Sequence, residues 1–167
     1  MNGDGKVNSA DIDAVEKLIG SSVKSIPSSG NSSFNVFKDD VIDVKDLMAV
    51  KQIADGKSPV IPENKESGKT VKFEVGDAEC CPGEQVKVDI NIIDWNQDID
   101  ASEIYLDFDS SLSLEDISCT GDFQYAAEGN ELKIYGFNVL SNVYRGTVAT
   151  LTFNVPDTAY GDYDITE

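Results

Sequence analysis

Histidine is absent from this 167-residue chain, and with it the commonest general base of enzyme sites. Ser–His and Cys–His nucleophile pairs therefore cannot be assembled. The twenty-one acidic side chains after Glu63 leave paired carboxylates for glycoside hydrolysis conceivable. On a strand with alternating faces, however, such acids are usually its wet side. No glycine-rich phosphate loop follows a strand signal, and the chain reads as a non-enzyme. Cysteine is sparse as well, with three residues and no histidine to complete a zinc site. Cys80 and Cys81 are adjacent and would strain a bridge between themselves. One of them pairs with Cys119 in an oxidising compartment, leaving an odd thiol, or all three are small buried hydrophobes. Basic residues are scarce, 13 against 31 acids for a net charge of −18, so little is available to neutralise phosphates and nucleic acid is excluded as a partner. There is no apolar run of about eighteen residues, so no transmembrane helix and no membrane insertion are expected. No secretory leader is read in the opening residues, but the chain is expected to be clipped there, so this says nothing about secretion.

The opening residues are instead rich in oxygen ligands. Calcium takes six to eight oxygens at about 2.3–2.6 Å, which an EF-hand-like loop supplies from positions 1, 3, 5, 7, 9 and 12 around a glycine at position 6. With Gly5 at position 6, Asn2 falls at 3, Asp4 at 5, Lys6 (through its carbonyl) at 7, Asn8 at 9 and Asp11 at 12. Position 1 precedes Met1, so the chain is expected to be clipped there. The closing acid is Asp rather than Glu, and helical spacing (Ile12, Val15, Leu18, Ile19) begins at once at Ser9 or Ala10. A second copy runs from Asn35 to Asp46, with Asn35, Asp39, Val41, Asp43 and Asp46 at positions 1, 5, 7, 9 and 12. Its helix, Val44–Ala54, repeats the apolar spacing and ends near Gly56. Phe37 stands where an oxygen is needed, and Asp40 occupies the glycine position, where a left-handed turn costs a non-glycine residue about 1–2 kcal/mol. The second loop is therefore expected to bind calcium weakly or not at all. The competing reading of these acids is helix capping.

This doubled loop–helix unit, with Asn2-Gly3-Asp4-Gly5-Lys6-Val7-Asn8-Ser9-Ala10-Asp11 as its first copy, resembles a type I dockerin. The resemblance implies calcium as cofactor and a cohesin on a scaffoldin as partner. It also implies recognition by the loop-to-helix and basic positions: Ser9, Ala10 and Lys17 in the first repeat, and Val44, Lys45 and Lys51 in the second. Ala10 and Val44-Lys45 depart from the Ser-Thr pairs of the best-known type I group, which puts partner specificity in question. The two repeats differ at these positions, so binding in two reversed orientations is not expected.

A break follows. Residues 58–68, with two prolines, few apolar side chains and no period, read as a linker. It separates a helical module, 1–57, from a strand-patterned one, 69–167. Charge is uneven across that break: seven basic against ten acidic residues through Glu63, then six against twenty-one. Beyond it the period becomes two, at Val71–Val75, Val86–Ile92, Ile104–Phe108, Leu112–Ile117, Leu132–Tyr135 and Val148–Val155, with turns at Pro82-Gly83, Asp109–Ser111, Gly129-Asn130 and Tyr160–Asp162. This pattern predicts an antiparallel β-sandwich, giving a two-domain α plus all-β chain.

The strand half is similar to a cohesin, the jelly-roll β-sandwich partner of dockerins. The likeness rests on Pro82-Gly83-Glu84-Gln85-Val86-Lys87-Val88, on Leu106-Asp107-Phe108-Asp109-Ser110-Ser111-Leu112, on the small-residue strand Gly146–Val155, and on Tyr160–Thr166 as a penultimate strand. The last strand of that family is missing, and an unpaired edge invites pairing from another chain or lowers stability. Taken together, the two resemblances imply a secreted adaptor scaffoldin in a bacterial polysaccharide-degrading assembly. The helical half would plug into a cohesin while the sandwich receives a dockerin. One alternative is a dockerin anchoring an accessory or carbohydrate-binding sandwich, with Trp95, Tyr105, Tyr125, Tyr135 and Tyr144 as candidate sugar platforms. Another is a single packed unit in which the sandwich buttresses the helices.

Overall fold

The computed structural model describes residues 3–59, 71–95, 99–140 and 146–166. Helix α1 spans Ser9–Ile19 and helix α2 spans Val44–Ala54. Both start for the same reason. The side chain of Asn8 or Asp43 accepts from the second helical amide, while Asp11 or Asp46 returns a bond to the capping residue's own N–H. These reciprocal bonds satisfy amides that have no partner within a helix. Between the helices, β1 (Ile26–Pro27) pairs antiparallel with β2 (Val41–Ile42), tying the two loop–helix units together. Their core is Val15, Ile19, Ile26, Ile42, Val44, Leu47 and Val50, all at most 8% exposed.

The remaining strands are β3 (Val71–Val75), β4 (Gln85–Trp95), β5 (Ile99–Phe108), β6 (Ser113–Cys119), β7 (Phe123–Glu128), β8 (Glu131–Leu140), β9 (Gly146–Asn154) and β10 (Ile165–Thr166). They form two antiparallel four-stranded sheets, ordered β3-β4-β9-β6 and β10-β5-β8-β7. Alternation decides what lies between them. Val88, Ile90, Ile92, Ile104, Leu106, Phe108, Leu132, Ile134, Leu151 and Phe153 point inward as one core. Phe108 and Phe153 meet edge to face across the gap, with centroids 5.1 Å apart.

Several expectations are corrected. The penultimate strand expected over Tyr160–Thr166 shrinks to Ile165–Thr166, because Gly161 is left-handed (φ 98°) and Tyr160 is 99% exposed. Strand β7 carries no strict alternation and was not anticipated. Trp95 closes β4 opposite Val71 rather than sitting in a loop. Its neighbours 96–98, like Tyr144 and most of the linker, lie outside the described residues. All three thiols are free. Cys80 and Cys81 precede the end of the sheet where Gln85 faces Asn154 and Asn154 faces Ser113, whereas Cys119 pairs with Ala149 near the other end. Burial pushes the Cys119 thiol up to about 11, so it is a poor nucleophile. No helix among the described residues is long and apolar enough to cross a membrane.

Candidate functional site: two loops and a seam

In the first loop, Gly3 and Gly5 take φ of 83° and 81°, conformations that glycine adopts without steric cost. Asn2 lies outside the described residues. Asp4 is exposed and its Oδ1 accepts from the Lys6 amide at 2.8 Å. The Asn8 side chain accepts from Ala10 N at 2.9 Å, and fully buried Asp11 accepts from Asn8 N at 3.1 Å. The capping reading thus holds for Asn8 and Asp11. It does not compete with metal binding in donor chemistry, because Asp4, Lys6, Asn8 and Asp11 offer only hard oxygens, the donors calcium takes. The first loop fits the ion on that ground.

The second loop closes differently. The left-handed residue expected at Asp40 is Lys38 (φ 58°), equivalent to Gly3, so the turn at the Gly5 position is not repeated. Asp46 is 1% exposed and takes three backbone amides: Val36 at 2.7 Å and Phe37 at 3.3 Å on Oδ1, and Asp43 at 3.3 Å on Oδ2. Asp39 Oδ1 accepts from Val41 N at 3.2 Å, and the Asn35 amide donates to the Asp39 carbonyl. Asn35 Oδ1 is buried without a hydrogen-bond partner. Peptide N–H groups here occupy the carboxylate that would close a metal site. Among the described residues, no group of three or more acidic, Cys or His side chains converges as a cation cage.

The six expected recognition positions divide. Ser9, Ala10 and Lys17 on α1 are exposed. On α2, Val44 is 5% exposed, Lys51 is half-buried, and Lys45 is exposed and paired with Asp43 at 3.1 Å. The cause is the packing of α2 on β5 and β8, the contact that the reading of one packed unit expects. Tyr135 and Ala101, from the outer face of the β10-β5-β8-β7 sheet, join the core of the helix pair. Register pairs Glu103 with Tyr135 and Tyr105 with Lys133, which puts all four on that outer face. Lys133 is 2% exposed, and its Nζ donates to the Ile19 carbonyl at 2.7 Å and lies 5.6 Å from the Tyr135 ring centroid. The Glu103 carboxylate accepts from the Tyr105 hydroxyl at 2.9 Å. A lysine between Leu132 and Ile134 reads as the wet side of a strand, and nothing in the sequence marked it as covered.

Gly20, which caps α1, sits against this seam. A Cβ built there would lie 2.6 Å from the Tyr135 hydroxyl and 3.3 Å from the Glu16 carbonyl. Gly20→Ala should therefore displace Tyr135 from Gln124, its partner at 3.1 Å, and lower the melting temperature of the helix pair despite alanine's better helix propensity. An unchanged or raised melting temperature by far-UV circular dichroism would show that the contact gives way freely.

Burial raises the carboxyls of Glu16, Asp46 and Glu103, with Asp13 and Asp43 adding repulsion and Lys51 and Lys133 opposing at Glu16 and Glu103. Burial also lowers Lys133. A raised folded carboxyl means that the native state holds its proton more tightly than the unfolded chain does. The resulting stability is complete below the ordinary values of 3.8–4.5 and is lost as pH rises through the folded values. Calcium-free protein should thus melt higher as pH falls from neutral toward 4.5, and a monotonic loss over that range would contradict the burial of these acids.

No protein-family model matches the chain, and no curated protein matches it. Solved structures do, by fold. The CaDoc0917–CaCohA2 complex at pH 5.5 is 22% identical with a TM-score of 0.52, covering 58% of this chain and 80% of that chain. CaCohA2 from Clostridium acetobutylicum is 21% identical with a TM-score of 0.51, covering 59% and 74%. A non-cellulosomal cohesin from Archaeoglobus fulgidus is 21% identical with a TM-score of 0.48, covering 57% and 73%. These neighbours are cohesin modules, and the strand-rich part of this chain has a cohesin-like β-sandwich fold.

Proposed function

We propose that this chain is a non-catalytic assembly module whose cohesin-like sandwich offers the β10-β5-β8-β7 sheet to a dockerin-type pair of loop–helix units. The observation that supports this most is the seating of the chain's own helix pair on that sheet, with Lys133 covered and bonded to Ile19. The neighbour solved as a CaDoc0917–CaCohA2 complex is consistent with a dockerin as the partner class. The helical half, through the exposed Ser9, Ala10 and Lys17, binds a cohesin on another protein, while α2 packs on its own sandwich with Val44 covered. One orientation of docking is then available rather than two. Calcium orders the first loop through Asn2, Asp4, Lys6, Asn8 and Asp11. The second loop is held by Asp46 and its three amides, and needs the ion less. The setting for such an adaptor is an extracellular polysaccharide-degrading assembly.

Calorimetric titration of the full chain against a panel of cohesins and dockerins, with calcium and with chelator, tests the reading. A calcium-loaded chain should bind at least one cohesin, and Lys17→Glu should weaken that binding about tenfold, the size expected for a charge at an interface rim. A dockerin should bind only weakly while the sheet carries its own helices. Chelation should lower the melting temperature of the helix pair, because an ion bound at about a hundred times its Kd adds roughly 2.7 kcal/mol. Binding to no member of either panel, with helical dichroism indifferent to chelator, would remove the proposal.

A further inference from the structure

We infer that the cleft at the open side of the sandwich binds an extended segment of another protein, apolar at alternate positions and basic at those between. The two sheets are closed along one side only. There β6 and β7 lie side by side at the sheet edges, joined by the turn at Gly121. The opposite edges are β3 and the two-residue β10. Between them opens a cavity of about 920 Å³. Its apolar lining includes Val75, Val86, Leu112, Val155 and Ile165, all half-buried, around the fully buried Phe153. Val75, Val86, Leu112 and Ile165 pack against the core between the sheets, so this is core surface left partly in water. Contiguous apolar surface of that kind marks an interaction site.

The backbone narrows the choice of occupant. Residues 76–80 and 159–164 flank the cleft and lie in no strand. Among the described residues, no backbone hydrogen bond joins 77–80 to another segment. An extended chain laid here finds main-chain partners at its side, and every second side chain enters the apolar lining. Charge narrows it further. Asp77, Glu79, Asp162 and Asp164 line the cleft and are exposed, and no basic residue among the described ones joins them. A second copy of this chain, with a net charge of −18, is repelled by such a rim, whereas a basic segment is drawn to it. The cleft shares no residue with the seam of Lys133, Tyr135 and Glu103, so the inference stands or falls apart from the assembly reading.

The full chain is titrated, by fluorescence anisotropy, with a labelled peptide of alternating valine and lysine, about ten residues long. Two controls accompany it: valine alternating with glutamate, and the same valines and lysines sorted into two blocks. The alternating basic peptide should bind at least tenfold tighter than either control. It should also slow amide exchange at 77–80 by a similar factor. Reversing two exposed rim acids together, Glu79→Lys with Asp162→Lys, should weaken its binding about tenfold and strengthen that of the acidic peptide. Ile165→Asp should abolish binding of the alternating peptide. If that variant melts early, the rim reversal decides alone, because it alters only exposed side chains. Equal binding of the blocked peptide would reduce the attraction to bulk charge and overturn the inference. So would no binding at all, or binding indifferent to the rim reversal. A dimer seen by light scattering, returned to monomer by Ile165→Asp, would make a second copy the occupant and overturn it as well.

Discussion

Asp46→Ala should unfold the helix pair at any calcium concentration. Its carboxylate is 1% exposed and is the acceptor for the Val36, Phe37 and Asp43 amides, so truncation strands three donors in a part-buried loop. Each unsatisfied buried donor costs about 1–3 kcal/mol. A helical unit of some sixty residues has little stability to lose, since small domains bury a modest share of their surface. Asp4→Ala is the contrast. Asp4 is exposed and accepts from the neighbouring Lys6 amide, so its loss should perturb the metal-free fold far less than that of buried Asp46 and should reduce the response to calcium. Asp46→Asn should fall between the two, because an amide retains an acceptor for Val36 and Phe37 but sets N–H against the Asp43 N–H when it does so. Far-UV melts of the three variants, with and without chelator, give the answer. An Asp46→Ala protein melting within a few degrees of wild type would mean that this carboxylate does not hold the second loop.

Phe153→Ala should lower the sandwich's stability by about 3–5 kcal/mol, the usual range for emptying a fully buried aromatic site. Phe153 is 0% exposed on β9, flanked by Val86 and Leu114, and it meets Phe108 of the opposite sheet. For a domain of about a hundred residues that is a fall of roughly 15 °C or more. The informative part is what the helices do. Phe108 ends β5, the strand that also carries Ala101 and Glu103 to the seam, and Tyr135 belongs to the helix pair's own core. Calorimetry should therefore show the helical and strand transitions moving down together. If the helical signal keeps its wild-type midpoint while the sheets melt early, the halves are independent and the seam contributes little.

What the sequence made legible follows from local physics. Both helices begin at their capping residues because Asn8 and Asp43 carry side chains that reach the second amide on, and the three-residue step to Asp11 and Asp46 completes the box. The long strands follow from strict alternation at Val86–Ile92 and Ile104–Phe108, whose inward residues form the observed core. Three things were not legible. Strand β7, Phe123-Gln124-Tyr125-Ala126-Ala127-Glu128, turns Phe123, Tyr125 and Ala127 to the inner face and Gln124, Ala126 and Glu128 to the outer one, so two adjacent alanines on opposite faces blur the alternation. Lys38 takes the left-handed turn assigned to Asp40, because loop geometry is settled by the peptides gathered round Asp46 and not by local propensity alone. Lys133 and Glu103 look like ordinary strand charges until the helices are laid over them. Which face of a sheet is wet depends on what packs there, and that information is not local.

Helix α2 is pressed on two sides, with Leu47, Ala49 and Val50 all fully buried, while α1 keeps Ser9, Ala10, Asp13 and Lys17 in water. The two repeats therefore live under different evolutionary licence. Drift in the first can retune which outside protein is met without disturbing the molecule's own architecture. Change in the second must satisfy a neighbouring helix and a sheet at once, so of two units built alike only the first can vary freely along its outer surface.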